Sequence, residues 1–271
     1  MTTPLASATD ERLFGGKATQ LGASIRAGLP VPPGFALSVD QVYAIVHGDD
    51  AALNEAFNMT VPLDAVAVRS SAVGEDGLAA SFAGQHSTVL HVRSRDELKE
   101  AICEVWESGQ TVSALAYRDK MELAGKPGMA IVVQQLVESE MAGVMFTRNP
   151  MTGDDERVIE ASWGLGEIVV AGLVTPDRYR LSRDGQILER SAGEKDIAIR
   201  SLAAGGTAEH DVEPHLISAL CLGDNHLSEL GDLAILCETH HGAGPHDMEF
   251  AFAGGKLFLL QCRSITRVGS R

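Results

Sequence analysis

Hydrophobic and polar residues recur along the chain with two periods, and these periods predict short strands and helices. Alternation of the two classes predicts a strand in "DAVAVR" and a strand–turn–strand hairpin in "DRYRLSRDGQILER". The apolar runs "MAIVVQQLV" and "AGVMFT" predict two more strands, joined by the polar turn "ESEM". Apolar positions three and four residues apart predict helices over residues 18–27, 39–47, 96–123 and 212–240, the last broken near Gly223. Strands and helices do not alternate strictly, so the pattern favours an α+β fold.

The last predicted hairpin, "DMEFAFAGGKLFLLQCR", separates polar from apolar side chains in only one of two registers. Successive strand residues point to opposite faces, so the length of the loop decides which residues lie opposite each other. A two-residue Gly254-Gly255 turn would pair Glu249 with Leu260. We predict instead a three-residue loop ending at Lys256, because it pairs like with like. The resulting pairs are Glu249–Gln261, Asp247–Arg263, Phe250–Leu260 and Phe252–Phe258.

This register would collect two carboxylates, a carboxamide and a guanidinium on one face of the hairpin. Glu249 and Gln261 offer oxygen ligands for Mg²⁺ or Mn²⁺, and Mg²⁺ usually takes its other ligands from water and substrate phosphates. Arg263 offers a planar group that fits phosphate oxygens. The alternative is a solvated face with ion pairs between the strands. A glutamine is a poor choice for a merely solubilising position, and this favours a binding site.

A second candidate phosphate-binding region lies in the first half of the chain. Arg69 ends a predicted strand, and the loop "SFAGQHST" that follows contains mainly small residues, whose backbone N–H groups suit a phosphate. Gly84 within this loop permits a close approach of the backbone. Lys17 follows Gly15-Gly16 at the start of a predicted helix, where anions are favoured. Taken singly, each feature is also typical of a surface turn or a solvated lysine.

The composition excludes some classes of partner. The 271 residues include 22 Lys and Arg against 37 Asp and Glu, a formal charge of −15, which disfavours nucleic acid or an anionic membrane as the main partner. Exposed charges are screened beyond about 8 Å, so a small cationic site can still bind a phosphate. The N-terminal residues lack a signal-peptide pattern, no apolar run is long enough for a membrane span, and the four cysteines form no CxxC pair. We therefore expect a soluble, cytoplasmic protein.

Together and in this order, five segments of the chain resemble the nucleotide-binding domain of phosphoenolpyruvate synthase, pyruvate phosphate dikinase and rifampin phosphotransferase. The segments run from Phe14 to Arg263: "GGKATQLGASIRAGLPVPPGF", "AVRSSAVGED…ASFAGQ", "VVQQLV…AGVMFT", "ASWGLGEIVVAGLVTPD" and "DMEFAF…LFLLQCR". The resemblance implies an ATP-grasp fold. It implies a single domain over residues 1–271, with lobes at about 1–130 and 131–268 and a nucleotide cleft between them.

The resemblance also implies roles for residues at matching positions. Lys17, Arg69 and Arg263 would bind phosphate, and Asp247 would join them in catalysis. Glu249 and Gln261 would hold the metal ion. The remaining positions would form the loop over the phosphates and the hinge along adenine: Gly84 and Thr88 in the loop, and Gln134, Gln135, Leu136 and Val137 in the hinge.

The resemblance further implies that ATP is split to AMP and phosphate while a histidine takes the β-phosphoryl group. In such proteins the histidine belongs to a carrier domain, which passes the group to a small-molecule acceptor. We recognise neither a carrier nor an acceptor domain here, so we expect them on a separate domain or chain. "THHGAG" at 239–244 resembles the carrier motif only superficially, and its position predicts a helix end. Two alternatives stay open: an ATP-grasp kinase or ligase acting directly on a nitrogen or carboxylate, and a nucleotide-binding module without turnover.

Overall fold

A computed structural model describes residues 1–72, 88–109, 129–242 and 244–265. The chain divides into two compact units, each described by itself below. The first unit comprises Met1–Arg26, Pro32–Leu136 and Leu202–Gly206, and the second comprises Ala27–Val31, Val137–Ser201 and the chain from Thr207 onward. Both units contain helices and antiparallel sheet, so the α+β prediction is confirmed. Among the described residues, no helix combines the length and the apolar character needed to cross a membrane.

The first unit is built on a five-stranded antiparallel sheet. In chain order its strands are β1 (Thr2–Pro4), β2 (Gly34–Leu37), β3 (Val66–Ala72), β4 (Thr88–Val92) and β5 (Met129–Gln135), and they lie in the spatial order β1-β2-β5-β3-β4. Its helices are α1 (Glu11–Arg26), α2 (Val39–Val46), α3 (Asp50–Thr60) and α4 (Arg95–Ser108), with short 3₁₀ turns at Leu5–Ser7 and Val61–Leu63.

Local sequence signals explain where α4 begins and which side of it is buried. Ser94 accepts a hydrogen bond from the Glu97 N–H at 3.2 Å, and the Glu97 carboxylate accepts one from the Ser94 N–H at 2.9 Å. This reciprocal capping box satisfies donors that the first helical turn leaves without partners. Leu98, Ile102 and Val105, at helical spacing, pack into the apolar core over the sheet.

The second unit is built on a six-stranded antiparallel sheet. Its strands are β6 (Met141–Phe146), β7 (Glu156–Trp163), β8 (Asp177–Ser182), β9 (Ile187–Ser191), β12 (His246–Ala253) and β13 (Lys256–Ser264), in the spatial order β13-β12-β6-β7-β8-β9. A separate hairpin pairs β10 (Ile197–Ser201) with β11 (Thr207–Asp211). The helices are α5 (Glu167–Val170) and α6 (Asp224–His241), and α6 contributes Leu227, Leu230 and Leu233 to the core on one face of the sheet.

Several predicted boundaries were wrong for local reasons. The helix predicted from residue 18 begins at Glu11, because the segment before Gly15 is also helical and only Gly15 departs from helical geometry. Residues 212–223 form turns rather than helix, and α6 starts only after Gly223. The strands β10 and β11 and the helix α3 were not predicted. The continuation of α4 towards Leu123 lies outside the described residues.

The predicted loop of the last hairpin was wrong, although the polar register was right. Ala253 lies opposite Lys256, so the turn contains only Gly254 and Gly255. The pairs Glu249–Gln261 and Asp247–Arg263 nevertheless form, because the register shifts by one residue between Glu249 and Phe250. The expected pairs Phe250–Leu260 and Phe252–Phe258 are replaced by Phe250–Leu259 and Phe252–Leu257. A bulge at Leu260 thus reconciles a two-residue turn with separated polar and apolar faces.

A fully buried ion pair joins three segments of the second unit. The side chains of Lys195 and Asp177 are both 0% exposed, and Lys195 Nζ lies 2.5 Å from Asp177 Oδ1. The same carboxylate accepts hydrogen bonds from the backbone N–H groups of Gly193 at 2.8 Å and Cys221 at 2.7 Å. Burial also raises the pKa of the neighbouring Tyr179 phenol, whose oxygen accepts from a backbone N–H. This network ties β8 to the two loops that carry Lys195 and Cys221.

We expect Lys195→Met to lower the free energy of unfolding by roughly 3–5 kcal/mol, because it leaves the Asp177 carboxylate buried without its counter-charge. Equilibrium urea unfolding measures the loss. The control is Arg190→Met, which breaks an exposed ion pair with Asp224 in the same unit and should cost less than about 1 kcal/mol. Equal losses in the two variants would contradict this interpretation of the buried pair.

Candidate functional site

The start of α1 is held against β3 by Gly15 and Ser71. Gly15 has φ +76°, and a Cβ built on it would lie 1.9 Å from the Ser71 carbonyl oxygen. Ser71 Oγ donates to the Phe14 carbonyl oxygen at 2.7 Å and accepts from the Ala18 N–H at 3.0 Å. The hydroxyl therefore bridges the backbone on either side of the kink. Only glycine permits both this conformation and this close approach.

Lys17 lies in the sequence between Phe14 and Ala18, the two residues whose backbone groups bond to Ser71. Its Nζ donates to the Ser70 carbonyl oxygen at 2.8 Å, and the residue is 8% exposed. Because Ser70 is the neighbour of Arg69 on β3, this contact brings the ammonium group to the strand that bears the guanidinium. The structure thus places these two predicted phosphate-binding residues in one region of the first unit.

Arg69 is oriented by the side chain of Gln134, a role that the sequence analysis did not predict. The Arg69 guanidinium donates through Nη1 to Gln134 Oε1 at 3.4 Å, and the Gln134 amide donates to the Pro32 carbonyl oxygen at 3.2 Å. Gln134 is 2% exposed, and its carboxamide bonds to other groups of the first unit. The resemblance had implied only that Gln134 lies at the start of the hinge. Thr88 lies directly opposite Arg69 across β3 and β4, and on the same face.

The predicted adenine hinge begins with the last two residues of β5, Gln134 and Gln135, and continues through Leu136 and Val137. The Gln135 N–H donates to Pro33 at 2.8 Å, and the Leu136 N–H donates to Ala65 at 2.9 Å. Any contact that these two backbone groups make with a ligand must therefore use their carbonyl oxygens. Val137 is partly buried and begins the next segment of the second unit. Gly84 of the predicted phosphate loop lies outside the described residues.

In the second unit, four predicted site residues share one face of the sheet. Asp247 lies opposite Arg263 and Glu249 lies opposite Gln261, so the two pairs occupy neighbouring rows of β12 and β13. Met248 and Phe250 point to the other face and are fully buried in the core with α6. Directly opposite residues have Cβ atoms about 5 Å apart, so the Glu249 carboxylate and the Gln261 amide oxygen can reach a common ligand.

The donor set fits Mg²⁺ as a partial site. Mg²⁺ is commonly held by one or two carboxylates with its other ligands supplied by water and phosphate oxygens, and Glu249 and Gln261 supply hard oxygens of that kind. Among the described residues, no cluster of three or more His, Cys, Asp or Glu side chains is suited to hold a metal ion. The residues therefore fit an ion that arrives with a phosphate rather than a metal enclosed by protein ligands alone.

Asp247 and Arg263 form an ion pair in which the acid is the more deeply buried partner. Arg263 donates through Nε at 2.8 Å and through Nη2 at 2.6 Å to the same carboxylate oxygen. Burial is the largest influence and raises the pKa of Asp247 above its ordinary value; Arg263 lowers that pKa by less, and Glu249 raises it further. Asp247 thus fixes the direction of the Arg263 guanidinium.

Most of the chain is similar to proteins of a known family. Residues 50–271 match the family model described as "Pyruvate phosphate dikinase, AMP/ATP-binding domain". The chain is 34% identical to a probable phosphoenolpyruvate synthase of Methanothermobacter thermautotrophicus, over 96% of this chain and 45% of that protein. It is 35% identical to the uncharacterized phosphotransferase YvkC of Bacillus subtilis, over 95% of this chain and 34% of that protein. The chain therefore spans less than half the length of these relatives.

A solved structure similar to this chain is N5-carboxyaminoimidazole synthase from Aspergillus clavatus, determined with ADP and 5-aminoimidazole ribonucleotide. The sequence identity is 10% and the TM-score is 0.44, with 93% of this chain and 44% of that chain covered.

We expect Gly15→Ala to destabilise the first unit and displace Lys17, because its Cβ would overlap the Ser71 carbonyl oxygen. The matched control is Gly48→Ala, since Gly48 also has a positive φ (+91°) but no atom within 4 Å of the added Cβ. Backbone strain alone should cost roughly 1–3 kcal/mol in each variant, and the overlap should add roughly 1–3 kcal/mol at Gly15. Urea unfolding of the two variants tests this difference, and similar losses would show that contact with Ser71 is unimportant.

The raised pKa of Asp247 predicts a pH dependence of stability with a defined sign. Its carboxyl group binds a proton more tightly in the folded than in the unfolded chain, so this contribution is fully present below the unfolded pKa and is lost as pH rises through the folded pKa. Wild type should therefore gain stability relative to Asp247→Asn when the pH is lowered from 7 to about 4. Unfolding free energies of both proteins across this range provide the measurement. A difference that is constant, or that falls on acidification, would contradict the predicted shift.

Proposed function

Because the chain belongs to the family of pyruvate phosphate dikinase AMP/ATP-binding domains, we propose that it is the nucleotide-binding part of an ATP-dependent phosphotransferase. In this proposal it adopts an ATP-grasp fold and splits ATP to AMP and phosphate. The β-phosphoryl group passes to a histidine on a carrier domain or chain, and then to a small-molecule acceptor. The relatives named phosphoenolpyruvate synthase and phosphotransferase support this reaction class.

The observation on which the proposal rests most directly is the register of β12 against β13. It places Glu249 opposite Gln261, with Asp247 and Arg263 in the next row, on the face opposite the apolar core. A merely structural hairpin would not require an amide and two acids at these positions. We propose that Glu249 and Gln261 hold Mg²⁺ or Mn²⁺, which when bound would neutralise charge on the phosphates.

The proposed roles of the cationic residues follow from their contacts. Lys17 and Arg69 bind phosphate oxygens, and their side chains are oriented in part by the Ser70 carbonyl and the Gln134 amide. Arg263 binds a further phosphate oxygen while Asp247 holds its orientation. Thr88, opposite Arg69, and Gly84 would complete the phosphate site. Fixed donors of this kind can stabilise the charge of a transferring phosphoryl group without reorganising.

The nucleotide base would contact the hinge. We propose that the carbonyl oxygens of Gln135 and Leu136, together with Val137, lie along adenine. The N–H groups of the first two residues are already bonded within the protein, so the backbone there is fixed before any nucleotide binds.

The reaction is tested by incubating the protein with Mg²⁺ and ATP labelled in the β-phosphoryl group, with and without a carrier-domain protein encoded beside it. We expect acid-labile, histidine-bound label on the carrier and an equivalent amount of AMP. ADP formed without a second protein would instead favour direct phosphorylation of a small molecule. Tight ATP binding without AMP or ADP under any partner condition would favour a module without turnover.

In the same assay, Glu249→Gln should lower metal-dependent transfer by roughly 100-fold or more, because it removes a negatively charged ligand of the ion. The unfolding free energy should change by less than about 1 kcal/mol, since the residue lies on the polar face and not in the core. Glu229→Gln, on an exposed position of α6, is the control for charge and should behave like wild type. A drop in stability that accounts for the lost activity would contradict the ligand role.

A further inference from the structure

The polar face of the six-stranded sheet continues well beyond Glu249 and Gln261. Following directly opposite residues from strand to strand, one row reads Gln261, Glu249, Val144, Glu160 and Arg178. Directly opposite residues in antiparallel strands point to the same face, so Glu160 and Arg178 share the face of the proposed metal ligands. With strands about 4.8 Å apart, Glu160 lies about 10 Å and Arg178 about 14 Å along the sheet from Glu249.

Glu160 and Arg178 are opposite neighbours that do not pair with each other. Both are partly buried, and neither side chain makes a hydrogen bond or ion pair with any part of the chain that the structure describes. The Arg178 Nε atom is fully shielded and has no hydrogen-bond partner there. A partly buried charge whose polar atoms are not satisfied by protein requires a specific explanation, and a ligand is one.

The adjacent row shows that a different arrangement is possible on the same strands. Arg180, two residues along β8, donates to both carboxylate oxygens of Glu156 at 3.2 and 3.3 Å. Its Nε also lies 2.6 Å from a carboxylate oxygen of Glu189. Arg180 is therefore held by acids on both neighbouring strands, as expected of a structural ion-pair network. Arg178 has an acid directly opposite and yet does not form such a pair.

We propose that Arg178 and Glu160 form a second anion subsite that binds a phosphate group bearing, or lying next to, a hydroxyl. The guanidinium presents a planar set of donors that matches phosphate oxygens. The neighbouring carboxylate accepts a hydrogen bond from a hydroxyl and repels an anion that has none. Two ligands have this chemistry: inorganic phosphate, which keeps a proton near neutral pH, and the 5′-phosphate of a nucleotide beside its ribose.

This subsite adds a ligand-binding role to the proposed function, and its assignment to a reaction product rests on that function. ATP cleavage to AMP and phosphate would release one ligand of each kind. The subsite would hold one of them on the same sheet face as the metal ligands, but three strands away from Glu249. Arg178 would then be a binding residue additional to Lys17, Arg69 and Arg263.

Calorimetric titration of the full chain with inorganic phosphate, AMP, adenosine and ATP–Mg²⁺ tests the subsite. We expect Arg178→Ala to weaken binding of phosphate or of AMP by at least about 10-fold, the effect of losing charge-assisted hydrogen bonds, with adenosine unchanged. Arg178→Lys keeps the charge but loses the planar set of donors, so it should show an intermediate loss. If the alanine variant does not fold, the affinity of Arg178→Lys tests the subsite instead. The control for net charge is Arg200→Ala, on the exposed side of the separate β10–β11 hairpin, and it should bind like wild type.

The outcomes separate the two ligand sources. A loss confined to inorganic phosphate assigns the subsite to free phosphate, and a loss confined to AMP assigns it to the nucleotide. Wild-type affinity of Arg178→Ala for both ligands, or a loss equal to that of Arg200→Ala, would overturn the inference. Its failure is distinct from failure of the proposed function. In the first case wild type binds ATP–Mg²⁺ and Arg178 has no effect, whereas in the second wild type does not bind ATP–Mg²⁺ at all.

Discussion

A single additional residue in β13 determines the chemistry of the second unit. The turn at Gly254-Gly255 closes the hairpin in a register that, if continued, would place Leu260 opposite Glu249. The bulge at Leu260 shifts the pairing by one residue, so Gln261 takes that position and Arg263 lies opposite Asp247. Because side chains alternate between faces, the same shift also places Cys262 opposite Met248, on the core side with Leu257 and Leu259. Polar and apolar requirements that conflict in a regular ladder are thus both met, and every proposed role on this face depends on that shift.

In the first unit a comparable constraint is the contact between Gly15 and the backbone of Ser71. A kink inside a helix normally costs stability, but here the Ser71 hydroxyl satisfies one backbone group on each side of it. The same geometry directs the Lys17 ammonium to the Ser70 carbonyl oxygen, next to Arg69. Two cations are therefore brought close together through contacts with the Ser70 carbonyl and the Gln134 amide.

The sequence predicted the elements whose signals are local and missed those that depend on tertiary structure. Alternation was enough for β3 and the β8–β9 hairpin, apolar runs were enough for β5 and β6, and the order of the family segments was enough to indicate the family. The pairing of Glu249 with Gln261 followed from separating polar and apolar residues, although the reason given, a three-residue loop, was wrong. A bulge has no signature in the alternation of a single strand, because it appears only when the partner strand and the turn are both known. The role of Gln134 was missed for a similar reason: its partners Arg69 and Pro32 are far away in sequence. The sequence "RSS" places Ser71 two residues after Arg69 and is a weak signal for the contact of Ser71 with the start of α1.

The contrast between Arg178 and Arg180 shows how the same sheet face can contain both structural and ligand-binding charges. Both arginines lie on β8 and both face the polar side, with a strand on either side of them. Arg180 has carboxylates from both neighbouring strands within ion-pair distance, so its charge is neutralised by the protein. Arg178 has Glu160 on one side but Ser191 on the other, and its side chain bonds to neither of their side chains. Asp247 and Arg263 form a third pair on this face, in which one carboxylate oxygen accepts two hydrogen bonds from the guanidinium. The side chain of Arg178 is therefore less paired within the protein than that of Arg180, and its capacity to bind an external anion should be greater.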